Sequence, residues 1–344
     1  MAREERSVAA SFHDLSEDRA ALVAALSRMG LCVAGEDVRI QPLTGGVSSN
    51  VLLIAVGARR LCLKQALPQL KVAKEWLAPI ERVFGEIDWL RTAAAIEPTL
   101  VPAVLGVDRP SGSFAMAYLA PASHPNWKAR LLAGEVDPGF ASVVGARLGH
   151  IHSATAHQPQ LAQTFATDDT FHALRLEPYL EEIARVHPAQ AAAIHSVLQT
   201  TRTTRLALVH GDVSPKNILV GPSGPVLLDA ECAWWGDPAF DLAFCLNHLL
   251  LKSVKLPDRA AALRESFQRL AGSYLAAVDW EAPVALEGRA AALLACLLLA
   301  RIDGKSPVEY LDRFQRAAVR AIAVRLVEEH PARLGVIAAA FNKE

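Results

Sequence analysis

Residues 206–244 read LALVHGDVSPKNILVGPSGPVLLDAECAWWGDPAFDLAF. An apolar run, Leu206 to Val209, delivers His210-Gly211-Asp212 into a loop, and Asn217 follows five residues after Asp212. Ile218-Leu219-Val220 then reads as a second short strand, residues 221–225 as a Gly-Pro-Ser-Gly-Pro turn, and Val226-Leu227-Leu228 as a returning strand that delivers Asp229. Two carboxylates and an amide therefore collect at the ends of strands that can pair with each other. Phosphoryl transfer needs this layout: one carboxylate orients and deprotonates an attacking hydroxyl, while an amide and a second carboxylate hold magnesium on the phosphates. His-Gly-Asp alone is a weak signal, but the joint pattern of strand, HGDxxxxN, hairpin, LLD and GDPxxDLA is specific. His210 taken singly reads better as a structural histidine than as a catalytic one.

On these residues the chain resembles the protein-kinase-like small-molecule kinases, which include aminoglycoside phosphotransferases, choline kinases and methylthioribose kinases. The resemblance covers roughly residues 38–310 and is tightest over 209–243. It implies that Asp212 is the catalytic base, that Asn217 and Asp229 are magnesium ligands, and that ATP is the phosphate donor. It also implies that Asp241 is a buried acid accepting backbone hydrogen bonds from the catalytic loop, with His210 supporting that loop. Glu231, in the Asp-x-Glu-x-Ala string, is a candidate for metal or substrate and equally for a structural role. Val213-Ser214-Pro215-Lys216 departs from the histidine and glycine common at this place, and Lys216 could reach the transferring phosphate or solvent. Residues 238–251, PAFDLAFCLNHLLL, look closer to methylthioribose kinases than to the antibiotic kinases.

Upstream, the pattern is strand-like over Val38 to Leu43, Val51 to Val56, Arg60 to Lys64, Val101 to Val107 and Ser113 to Leu119. A helix capped by Ser16 precedes these strands, and another begins near Pro79. Lys64 sits where a third strand should present a lysine to the α- and β-phosphates. Its expected acidic partner is Glu86, with Glu75 and Glu81 as alternatives. Gly45 and Gly46, followed by Ser48, Ser49 and Asn50, lack GxGxxG spacing but could lie over phosphates with N–H groups and hydroxyls. Met116, Ala117 and Leu119 would form a hinge whose backbone meets adenine; edge-strand packing explains them equally well.

Beyond Ala120-Pro121-Ala122 the text is mainly helical, with helices expected near 136–155, 177–200, 239–252, 258–277 and 285–302. The expected fold is α+β and protein-kinase-like, with a small antiparallel-sheet lobe over 1–119 and a larger helical lobe over 120–344. Candidate substrate groups follow the apolar run that ends at Arg301, namely Arg301, Asp303 and Lys305. Trp234-Trp235 and Asn126-Trp127-Lys128 could supply an aromatic wall. A pair of metal-binding histidines at 150 and 152 is disfavoured, because alternate positions on a helix face different ways.

Lysine plus arginine total 35 against 36 acids, so no bulk field for nucleic acid exists. At the boundary near 120 the larger part carries 22 cations and 23 acids, a balance that disfavours a polycationic substrate. Five scattered cysteines without a CxxC pair fit buried thiols in the cytoplasm. The charged start is not a secretory signal, and the apolar run between Arg289 and Arg301 is too short to span a bilayer, so no membrane role is expected. The expectation is a kinase for a small hydroxylated metabolite such as a sugar, polyol or amino alcohol. An aminoglycoside kinase and a non-catalytic nucleotide-binding module are the alternatives. A protein kinase ranks last, since no activation segment separates Asp229 from Asp241.

Overall fold

The computed structural model describes residues 12–33, 35–43, 48–70 and 79–342. Gly45, Gly46 and Glu75 lie outside the described residues. The chain forms two compact units, Met1–Val83 with Val104–Tyr118, and Phe84–Ala103 with Leu119–Glu344. A single cut near residue 120 therefore leaves out one excursion, because residues 84–103 belong with the helical unit.

In the first unit, helix α1 (Arg19–Arg28) precedes strands β1 (Val38–Pro42), β2 (Ser49–Val56) and β3 (Arg59–Ala66). Helix α2 (Arg82–Ile96) leads across to the second unit, and β4 (Val104–Asp108) and β5 (Ser113–Ala117) complete a five-stranded antiparallel sheet in the order β1-β2-β3-β5-β4. Gly57-Ala58 makes a two-residue turn between β2 and β3, with Gly57 at φ +57°. Side chains alternate along these strands. Leu52, Ile54, Leu61 and Leu63 join Leu22, Ala25 and Leu26 of α1 in one core, which puts Lys64 on the opposite face of β3. Arg28 anchors α1 through a fork to the buried Asp108, at 2.7 and 2.8 Å.

Two local readings change here. Asp18, not Ser16, caps α1, because Asp18 is extended and accepts from the Ala21 N–H at 2.9 Å, while Ser16 is held by Asp14. β5 is an inner strand between β3 and β4, so edge packing does not explain Met116 and Ala117.

The second unit contains α3 (Trp127–Leu132), α4 (Pro138–Ala156), α5 (Leu161–Thr164), α6 (Asp168–Phe171), α7 (Glu182–Val186) and α8 (Ala191–Thr203). Between α6 and α7 the helix widens into a π-helical stretch, His172–Glu181. Pro178 inside this stretch has no N–H to donate. The helix expected over 177–200 breaks at His187, before Pro188, since a residue preceding proline avoids the helical region. Next come β6 (Ala207–Val209), β7 (Ile218–Gly221), β8 (Gly224–Leu227) and β9 (Trp234–Gly236). β6 pairs with β9, and β7 with β8. The chain closes with α9 (Ala239–Lys255), α10 (Ala260–Leu275), α11 (Pro283–Asp303), α12 (Arg313–Glu329) and α13 (Leu334–Ala340).

α11 extends beyond its apolar run and is long and apolar enough to cross a membrane by length and composition. Here most of its side chains are buried against neighbouring helices of the unit, as in a core helix. All five cysteines are free and buried, and burial pushes the Cys62 thiol up to about 11.

α4 and α10 approach closely because α4 offers glycine at the contact. A Cβ on Gly145 would lie 2.2 Å from the Leu270 carbonyl oxygen and 2.6 Å from Ser273 Oγ. Backbone cannot yield as a side chain can. Gly145→Ala should therefore cost at least about 1–3 kcal/mol, read as a lower urea midpoint with an unchanged slope.

Candidate active site

The loop after β6 is built from its backbone outward. Asp241, in the first turn of α9, is fully buried, and its two oxygens accept the N–H groups of His210 at 2.7 Å and Gly211 at 2.8 Å. Gly211 has φ +78°, and a Cβ there would stand 2.6 Å from the Cys232 carbonyl oxygen, so only glycine fits. His152 of α4 places Nε2 3.2 Å from Asp241, and its Nδ1 lies 2.7 Å from the Tyr274 hydroxyl. Burial holds the Tyr274 phenol well above its usual range, so it stays protonated and can donate to His152.

His210 is hydrogen-bonded through both ring nitrogens. Its Nδ1 accepts the Asp212 N–H at 3.1 Å, and its Nε2–H donates to the Leu228 carbonyl at 3.1 Å, which fixes one neutral tautomer. Trp89 of α2 packs edge-on against its ring, with centroids 4.7 Å apart. Burial lowers the pKa of His210 and lowers that of His248 on α9 further. Above the unfolded value near 6.5 neither group affects stability, because both states are neutral. Below it the unfolded chain takes up protons that the folded chain refuses, so stability falls with pH, by up to about 1.4 kcal/mol per unit for each histidine. Melting temperatures should drop between pH 7.5 and pH 5.5, and His248→Gln should flatten that slope.

Asp212 is buried between two cations. Arg175, from the π-helical stretch, places Nη2 3.0 Å from Oδ2 and donates through Nε to the Gly211 carbonyl at 2.5 Å. Lys216 Nζ lies 3.2 Å from the same Oδ2, and the Asp212 charge raises the lysine's pKa. Among the described residues nothing is paired with Oδ1. The carboxylate thus meets two cations on one side and is left with an acceptor on the other.

Asn217 is buried and donates through Nδ2 to the Asp212 carbonyl at 3.1 Å, and among the described residues its Oδ1 has no partner. Asp229, at the end of the β7–β8 hairpin, adopts φ +67°, a conformation that non-glycine residues hold only when their surroundings enforce it. These hard oxygen donors suit a magnesium ion better than a soft metal. The hairpin is tied down by Asn126, whose Nδ2 donates to the Lys216 carbonyl at 2.6 Å, and by Val220 N–H on the Pro125 carbonyl at 2.8 Å. Glu231 is buried close enough to act on the Arg175 charge.

Two sequence candidates, Trp234 and Trp127, are packed among aromatic neighbours. Trp234 is buried, stacks on Phe171 at 4.0 Å and carries Arg205 over its ring at 4.5 Å, so it cannot form a substrate wall. Trp127 is likewise buried, edge-on to Phe140 at 5.4 Å. Asp303 is committed to Arg320, at 2.6 and 2.7 Å, and to His187 at 3.0 Å; Lys305 grips Glu177 at 2.6 and 2.7 Å. The Arg301 Nη1 reaches Ser306 and Tyr179.

In the first unit, Lys64 is buried on β3, paired in register with Val51 and Phe114. Ser49 and Asn50 lie within β2 rather than in the loop before it, and the Asn50 amide donates to Asp14 at 2.7 Å. The Ser48 carbonyl accepts from the buried Arg82 guanidinium, which also binds the Leu67 carbonyl. Met116 and Ala117 are paired within β5, whereas Leu119 lies beyond the strand's end. Glu86 is buried on α2, and Glu81 is exposed ahead of that helix.

Sequence reasoning missed Arg175, His152, Tyr274 and Asp237. Asp237, within the GDP string, is buried and held by Arg289 of α11 at 3.0 and 3.1 Å, while Arg289 also grips Glu281 at 2.7 and 2.8 Å. Together they fasten the start of α9, and so Asp241, to the core.

A model of the phosphotransferase enzyme family (APH) matches residues 39–280. The chain belongs to this family. Among its curated relatives, methylthioribose kinase of Pectobacterium carotovorum subsp. carotovorum (strain PC1) is 26% identical over 245 residues, 61% of this chain and 60% of that protein. Methylthioribose kinase of Yersinia pseudotuberculosis serotype O:3 (strain YPIII) is 27% identical over 235 residues, 59% of this chain and 56% of that protein. The chain thus matches about three-fifths of the length of these relatives. Of the solved structures, amicoumacin kinase hAmiN, in complex with AMP-PNP, Ca2+ and Ami, has TM-score 0.54 and 14% identity, covering 86% of this chain and 90% of its own. LicA in complex with AMP has TM-score 0.51 and 14% identity, covering 91% and 98%. At this identity the phosphotransferase family member shares the fold of these structures, which is protein-kinase-like, with a small antiparallel sheet and a mainly helical remainder.

Proposed function

We propose that the protein transfers the γ-phosphate of ATP to a hydroxyl of a small metabolite, with Asp212 as catalytic base. The observation that carries this reading is the asymmetry at Asp212, where Arg175 and Lys216 share Oδ2 and leave Oδ1 to address a hydroxyl. The hydroxyl oxygen would bond to the γ-phosphorus as the β–γ bridging P–O bond breaks. Its proton passes to Asp212 Oδ1 and then to solvent, and ADP leaves. Asn217 and Asp229 would hold magnesium. That ion would neutralise charge on the phosphate oxygens. Lys64 and Glu86 take the phosphate-gripping and lysine-orienting roles, and the backbone near Leu119 that of the adenine contact. Positioning and electrostatics supply most of the rate in such a reaction. The curated relatives include methylthioribose kinases, whose name points to a sugar-derived acceptor, and the free buried cysteines fit a cytoplasmic location.

The test is phosphate-ester formation from ATP and magnesium across sugars, polyols, hydroxy acids, sugar phosphates and amino alcohols. Turnover on one class, abolished when magnesium is removed by EDTA and restored by adding it back, is the expected result. Nucleotide binding without transfer to any acceptor would favour the regulatory-module reading.

A further inference from the structure

The face of α9 that begins with Asp241 continues with Phe244, His248 and Lys252, at spacings of three, seven and eleven residues. Arg175, the partner of Asp212, lies over the Phe244 ring at 5.7 Å, and the Phe244 and His248 rings are 5.5 Å apart. The helix face therefore runs from the base to Lys252 through continuous contact. Lys252 is fully buried, yet no carboxylate pairs with it among the described residues. Its Nζ has only the His248 carbonyl at 3.5 Å and the face of the Tyr310 ring at 5.2 Å.

Two further donors there lack an acceptor. The Tyr310 hydroxyl and the Arg301 Nε–H are both buried without a hydrogen-bond partner. The charges that act most strongly on His248 are the cations Lys252, Arg301, Lys216 and Lys128. The acid nearby, Glu309, is already paired with Lys128. Buried donors and an unmatched amine are costly unless a ligand supplies the acceptors and the negative charge.

We propose that Lys252, Arg301 and Tyr310 form an anion subsite at the far end of the α9 face that begins at Asp241, so that the acceptor is a hydroxylated compound bearing a carboxylate or a phosphate. This rests on the phosphotransfer reading above. It departs from the sequence expectation of a neutral or amino-bearing acceptor, because overall charge balance conceals a local cluster of cations.

The test uses the full-length protein with ATP and magnesium and acceptors matched in carbon skeleton: polyols, the corresponding aldonic acids, the sugar phosphates and the amino sugars. Anionic members should exceed their neutral and amino counterparts at least tenfold in kcat/KM, with carboxylates and phosphates compared directly to name the group. Lys252→Met should lower that anion preference at least tenfold, chiefly through KM. Tyr310→Phe, which removes a hydroxyl with no partner, should lower it severalfold and guards against misfolding of the first variant. Preference for neutral or amino acceptors, or an unchanged preference in both folded variants, would overturn the subsite and leave the kinase reading standing. Failure to phosphorylate any class would overturn both.

Discussion

Replacing Asp212 by asparagine should lower kcat by about two to four orders of magnitude while leaving the melting temperature within a few degrees of wild type. The side chain keeps its shape, and the amide oxygen can still meet Arg175 and Lys216 if it takes the place of Oδ2. What is lost is the acceptor at Oδ1, where an amide NH2 would face the hydroxyl it must orient. Because the base acts on the attacking oxygen, KM for ATP should change little, and the loss should fall on kcat and kcat/KM alike. Stopped-time assays of phosphate-ester formation, beside a thermal melt, separate this from unfolding.

Asp241→Ala should produce the largest loss of stability of any single change considered, about 3–5 kcal/mol. The carboxylate is fully buried and accepts the N–H groups of His210 and Gly211, at 2.7 and 2.8 Å, besides the ring of His152. Alanine strands two backbone donors and leaves His152 facing a void. Water cannot reach them without opening the packing around α9. Asp241→Asn keeps one acceptor and should fall between alanine and wild type. Denaturant titration reads the loss in both variants, and the loop that carries Asp212 should lose activity at temperatures where the rest of the fold survives.

The parts of the fold visible in the text are those whose signals are local. The strand, the HGDxxxxN loop, the hairpin and LLD occupy consecutive residues, and their pairing needs only a short turn. Alternation likewise marks β2 and β3, and Lys64 falls on β3 at the face its parity requires. Arg175 has no such signature. It is a lone arginine among leucines, 37 residues before Asp212, and only the π-helical widening aims it at the loop. His152 and Tyr274 meet through a contact spanning 122 residues, which no periodicity records.

The tryptophans misled for the opposite reason. Their composition suggests a binding wall, whereas β9 is paired with β6 and its Trp234 fills the core against Phe171. Asp303 and Lys305 were candidates because they end an apolar helix, but each has an ion-pair partner supplied from elsewhere in the chain, Arg320 and Glu177. The charge count is silent on local clusters. A nearly neutral total says nothing about where Lys252, Arg301 and Lys216 gather.

The central claim is that Asp212 delivers an acceptor hydroxyl to the γ-phosphate. Phosphorus-31 NMR of a reaction containing ATP, magnesium and the best acceptor of the panel tests it most directly. One new phosphate monoester should form in step with ADP in the wild type, and none above background in Asp212→Asn. ADP accumulating with free phosphate and no ester, or the same ester formed equally fast by the variant, would contradict it.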